Sequence, residues 1–189
     1  HLAKQCLVTL GQLSEPKAKT PSKRDIDHLI SLYNQDSLQN TLELARELTT
    51  DYPGAFIAWN ILGATCHRLG RIEEADSAFR KVISLNPSYP EGHNNLGTLL
   101  TQQGRLDEAI SSYEEALTIS PEHADVFNNL GLALHQQSKL DEAIEAYEKA
   151  IQIKPDYAEA FNNLGNALSA NEDIKRAIDS FYMAVAYNP

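Results

Sequence analysis

Basic residues are scarce in this chain. Sixteen lysines and arginines stand against 26 aspartates and glutamates, a formal net charge of −10 at pH 7. That balance argues against a nucleic acid ligand, because phosphates need a basic face; it permits basic partners. Cysteine is nearly absent: Cys6 and Cys66 are the only two. Two thiols make no disulfide framework, and no Cys-x-x-Cys or His-x-x-x-His spacing offers a metal site. No run of about 18 or more apolar residues occurs, so no membrane insertion is expected. No phosphate loop, nucleophile elbow or Ser/His/Asp arrangement is recognisable, and the chain reads as a non-enzyme without cofactor or metal. Lys4, Gln5 and Gln12 interrupt the first 13 residues, so no signal peptide is visible. That favours a cytoplasmic setting without fixing a compartment. The start at His1 reads as a fragment of something longer.

What is present is periodic. Hydrophobic residues make up 42% of the chain, enough for a packed core. Pro87, Pro121, Pro155 and Pro189 are 34 residues apart, and Gly63, Gly97, Gly131 and Gly165 keep the same step. So do Ala75, Ala109, Ala143 and Ala177, and the aromatic set Phe79, Tyr113, Tyr147 and Phe181. Four residue classes in one register define a repeat. The units are 56–89, 90–123, 124–157 and 158–189, the last ending the array. Segment 22–55, with Pro53 one step before Pro87, reads as a degenerate first unit. Residues 1–21 form an N-terminal segment and linker, with a short helix expected over 2–13.

Counting positions from the start of each unit, 4, 7, 8 and 11 share one face of a helix, here called helix A, expected over about 56–69, 90–103, 124–137 and 158–171. Gly70 and Gly104 fall where that helix ends; Ser138 and Glu172 replace them, so those turns should be tighter or strained. Helix B opens with acids (Glu73-Glu74, Asp107-Glu108, Asp141-Glu142, then Asp173) that suit the positive end of its dipole. The glycine at 8 and the alanine at 20 are expected to let the two helices cross closely. His67, His93 and His135 read as structural or solvated, and Cys66 as a buried small hydrophobe.

The period and these motifs identify the chain as a member of the tetratricopeptide repeat family. Asn-Asn-Leu-Gly (94–97, 128–131, 162–165) and Leu-Asp-Glu-Ala (106–109, 140–143) most resemble the repeat arm of O-linked N-acetylglucosamine transferases and bacterial repeat proteins fused to transferase domains. The resemblance implies an all-α, right-handed solenoid with helix A on the concave side. It also implies a protein-interaction scaffold binding a partner or extended peptide there. A second option is the substrate-recruiting arm of a larger transferase. A third is self-assembly through the C-terminal end, where Ile178, Phe181, Tyr182 and Val185 would stay partly uncovered.

Positions 2, 6, 9 and 13 form the remaining stripe of helix A. Asn95, Asn129 and Asn163 repeat at position 6, where amides offer both donor and acceptor to a peptide main chain; bonding to neighbouring helices is the alternative. Asn94, Asn128 and Asn162 repeat beside them at position 5. Glu91, Asp125 and Glu159 repeat at position 2, either as a rail for a basic ligand or as charges placed by the helix dipole. Thr98 and Asn166 occupy position 9. None of these places is basic, which sets the chain apart from members that clamp a C-terminal carboxylate.

Overall fold

The computed structural model describes residues 20–188, and the short helix expected over 2–13 lies outside them. Ten helices occur among the described residues: α1 (Lys23–Asn34), α2 (Leu38–Asp51), α3 (Phe56–Arg68), α4 (Ile72–Leu85), α5 (Pro90–Gln102), α6 (Leu106–Ile119), α7 (Ala124–Gln136), α8 (Leu140–Ile153), α9 (Ala158–Ala170) and α10 (Ile174–Tyr187). The odd-numbered helices are helix A of each pair and the even-numbered ones helix B. Each helix but the last packs on its pair mate and on the neighbouring pair, which makes an all-α solenoid. The backbones of the A helices of adjacent pairs approach one another, whereas those of the B helices stand further apart and are linked only through long side chains. The array therefore bends around the helix-A side, which is its concave face.

Among the described helices, only the first and the last start with a side-chain cap. Ser22 caps α1 in a reciprocal capping box with Asp25. Arg71, Arg105 and Lys139 precede α4, α6 and α8 without a side-chain cap. There the acids of the first turn offset the exposed N–H groups electrostatically. At α10 the Asp173 carboxylate accepts from the Arg176 amide at 3.2 Å.

The close crossing within each of the last four pairs seats an aromatic ring of helix B on the glycine of helix A. A Cβ on Gly63, Gly97, Gly131 or Gly165 would meet the ring of Phe79, Tyr113, Tyr147 or Phe181 at 2.6–2.7 Å. The ring edge fills the space that a side chain would occupy. The alanines at position 20 are buried too. In the first pair the same two positions hold Leu29 and Ala45, both fully buried: the large residue has moved from helix B to helix A.

The turns between A and B share one geometry. Gly70 and Gly104 take φ of 72° and 73°; Asp36, Ser138 and Glu172 take 59°, 63° and 64°. The turn closes the same way in each case, as in Arg71 N–H to Cys66 O at 2.8 Å and Lys139 N–H to Leu134 O at 3.0 Å. The Ser138 and Glu172 turns are therefore not tighter; they hold an L residue in the left-handed region, where its Cβ is strained.

Helix A buries a second face that a single amphipathic stripe does not reveal. Positions 3 (Ala58, Gly92, Val126, Ala160) and 10 (Thr65, Leu99, Ala133, Ala167) are all buried. They point at the preceding pair: a Cβ on Gly92 would meet Val82 Cγ1 at 2.8 Å. Among the described residues, no helix is long and apolar enough to cross a membrane.

Candidate functional site

With two faces buried, helix A leaves the stripe at positions 2, 6, 9 and 13 on the concave side. Its asparagines are bonded to one another. Asn95 donates through Nδ2 to Asn60 Oδ1 at 2.9 Å, Asn129 to Asn94 Oδ1 at 3.0 Å, and Asn163 to Asn128 Oδ1 at 3.0 Å. Position 6 of each of the last three pairs is thus tied to position 5 of the pair before, and the two sequence-predicted Asn series form one ladder. Each position-6 amide keeps its Oδ1 and one N–H. Asn162 is exposed at the end of the series, where no further described amide donates to it.

The acids take up different places. Glu91 is half-buried, while Asp125 and Glu159 are exposed. Asn128, only 1% exposed, donates to Glu159 Oε1 at 3.3 Å while accepting from Asn163. Tyr157 completes this cluster: burial and a hydrogen bond to Asp125 push its phenol well above the usual tyrosine range, and Asn128 also reaches it. Tyr157 was not singled out in the sequence. Its signal was its place, one residue before helix A, shared with Tyr89, whose phenol burial and then Glu91 push up.

Thr98 is occupied, donating to Asn94 O at 3.0 Å, whereas Asn166 is exposed. His67 Nε2–H meets Gln102 Oε1 at 2.6 Å across the same step. His93 Nε2–H reaches the Pro87 carbonyl at 3.0 Å, as Trp59 Nε1–H reaches Pro53 O at 3.0 Å, so the imidazole does the work of the indole. Among the described residues, no group of three or more His, Cys, Asp or Glu side chains is placed to hold a metal. Burial raises the Cys66 thiol above its usual range, which keeps it protonated and a poor nucleophile.

At the C-terminal end Ile178, Tyr182 and Val185 are 49%, 72% and 67% exposed. Phe181 is half-buried instead, its ring edge turned onto Gly165.

Antiparallel helix pairs in register, tied along one polar concave stripe, define an α-solenoid repeat protein. Tetratricopeptide-repeat family models match residues 57–89, 90–156 and 146–179, and the chain carries tetratricopeptide repeats over that span. Among solved structures it is similar to MamA from Desulfovibrio magneticus RS-1, at 22% identity and TM-score 0.76, covering 87% of this chain and 93% of that one. The pilF protein of Pseudomonas aeruginosa follows at 21% and 0.81, covering 88% and 76%. YrrB, a repeat protein described as having an unusual peptide-binding site, stands at 20% and 0.69, covering 89% and 87%. At these identities the likeness is one of fold. No curated protein matches the chain significantly.

Proposed function

We propose that the chain is a non-catalytic interaction scaffold that holds an extended, basic segment of a partner protein along its concave helix-A face. One observation carries this reading: in each of the last three units the stripe has an acid at position 2 and an asparagine at position 6, and none of its positions 2, 6, 9 and 13 holds a lysine or arginine. The amide ladder supports it by fixing the side chains before a ligand arrives, which lowers the ordering cost of binding. Asn95, Asn129 and Asn163 each retain an Oδ1 for a peptide N–H. A single such bond contributes about 0.5–1.5 kcal/mol net, so several in series are required. Asp125 and Glu159 supply the charge that selects lysine or arginine, and YrrB, described as having a peptide-binding site, is a precedent for peptide binding on this fold. The pair α1–α2 is a degenerate first repeat in this reading, with its Leu29/Ala45 exchange as support.

Removing the three ladder asparagines would also loosen the repeats, so the charges make the cleaner test. The triple variant Glu91→Gln/Asp125→Asn/Glu159→Gln is compared with the unaltered chain for binding a Lys/Arg-rich extended peptide by calorimetry. A loss of about 10-fold or more, shrinking at high salt, is expected. Unchanged affinity with intact helicity overturns the reading.

A second reading rests on the C-terminal face. Ile144, the counterpart of Ile178 one unit earlier, is 7% exposed because the next helix A covers it, whereas Ile178 is 49% exposed. A second copy packing there would make the scaffold self-assemble. Sedimentation velocity decides: Tyr182→Lys should abolish a dimer, and a monomer at every concentration excludes it.

A further inference from the structure

Neighbouring repeats are also tied on the convex, helix-B side, at two positions 28 residues apart. Arg46 pairs with Glu74 at the first junction, and Arg176 with Glu148 at the last, the charge order reversed. At the second junction Arg80 and Glu108 hold the same positions and belong to a four-residue cluster. Arg80 Nε lies 2.7 Å from Asp76 Oδ2, Arg105 Nη2 lies 2.6 Å from Glu108 Oε2, and Arg105 Nη1 lies 4.0 Å from Asp76 Oδ1. Every one of these three junctions has an arginine of the chain at its bridge.

The third junction does not. The same two positions are Glu114 and Glu142, and Glu145 adds a third carboxylate. None of the three has an ion-pair partner among the described residues. They rim a cavity of about 260 Å³ between α6 and α8, floored by Ile110, Leu130 and Leu134 of α6 and α7. Two lysines stand at its edge. Lys149 Nζ lies over the Phe127 ring, 5.6 Å from its centroid, and Lys139 is exposed without an ion pair.

We propose that this groove receives an arginine side chain from a partner protein, which takes in trans the place that the chain's own arginines take at the other three junctions. The planar guanidinium spans two carboxylates with paired donors, which a lysine ammonium does not. Its methylene stem covers the apolar floor. The cavity falls below the roughly 300–1,000 Å³ of small-molecule sites, so it suits one side chain, not a cofactor. The site is separate from the helix-A stripe and does not depend on it.

The probes are acetylated hexa-arginine and hexalysine peptides, added to the ¹⁵N-labelled chain and followed by NMR. Hexa-arginine should shift the amides of Glu114, Leu134, Glu142 and Glu145 and bind there about 5-fold or more tighter than hexalysine. Glu142→Arg recreates the in-chain bridge. It should weaken binding at these resonances by about 10-fold or more and raise the Tm, two changes of opposite sign that a merely disrupted surface would not give. The triple helix-A charge variant should leave these shifts in place, so the two sites fail separately. Should Glu142→Arg not fold, Glu114→Gln/Glu142→Gln must lose the binding. Equal affinity for the two peptides, shifts confined to the A helices, or full binding by either variant would overturn the proposal.

Discussion

Gly131 and Tyr147 meet so closely that a Cβ on the glycine would lie 2.7 Å from the ring's Cε1. The ring is fully buried and has no room to retreat. Gly131→Ala gains about 1 kcal/mol of helix propensity but overpacks the crossing, and a net loss of about 1–2 kcal/mol is expected by urea denaturation. Gly54→Ala is the control, since nothing lies within 4 Å of its added Cβ, and it should be near neutral. Ala143→Leu, at a site that is 0% exposed, should cost about 1–3 kcal/mol.

The left-handed turns offer the reverse case. Ser138 and Glu172 sit at φ of 63° and 64°, where an L side chain costs about 1–2 kcal/mol against a glycine entropy cost of about 0.5–1 kcal/mol. Ser138→Gly and Glu172→Gly should each raise stability by up to about 1 kcal/mol. Gly104→Ala should lower it by about 1–2 kcal/mol. Asp36→Gly should gain less, because aspartate tolerates this region and its carboxylate pairs with Arg68. Denaturant midpoints of the four variants check the order.

Much of the scaffold was legible because repetition turns weak local signals into strong ones. The helix-A starts at 56, 90, 124 and 158 followed from the period alone, and the helices end one residue earlier than expected. The buried set at positions 3 and 10 was missed because it faces another repeat, and alanine and glycine there carry little hydrophobic signal. The ladder was legible as a column of asparagines, but its bonding was not. Asn95 and Asn129 reach position 5 of the previous unit, a contact set by how pairs stack and not by any spacing within one helix. Tyr157 was hidden for the same reason, since its partners Asp125 and Asn128 belong to the preceding helix A.

That stacking makes Asn128 and Asn162 unequal although they hold the same register position. Asn128 is buried, accepts from Asn163 at 3.0 Å and donates to Glu159 at 3.3 Å. Asn128→Ala should cost about 1–3 kcal/mol, because it strips partners from groups held away from water. Asn162 is exposed, and Asn162→Ala should stay within about 0.5 kcal/mol of the unaltered chain. Equal losses from the two substitutions in thermal denaturation would show that the ladder bonds contribute nothing to coupling between repeats.

Tyr113 and Tyr147 likewise share a position but not an environment. The Tyr113 hydroxyl has Thr101 Oγ1 at 3.2 Å and Thr98 Oγ1 at 3.4 Å. One unit later those threonines become Leu132 and His135, and the Tyr147 hydroxyl is buried without a partner. Tyr113→Phe should therefore cost about 0.5–1.5 kcal/mol, while Tyr147→Phe should be neutral or stabilising, since it removes a desolvated hydroxyl. The two phenols also give the fold an alkaline limit. Burial raises both above the ordinary tyrosine value of 10.0, so the unfolded chain loses these protons first. Their contribution is complete below about pH 10 and is lost as pH rises toward the folded values. Stability should fall above about pH 10, and Tyr147→Phe should make that fall shallower. Ultraviolet tyrosinate absorbance followed alongside circular dichroism measures it. If both phenols ionise near pH 10 while the helices stay intact, the burial argument fails.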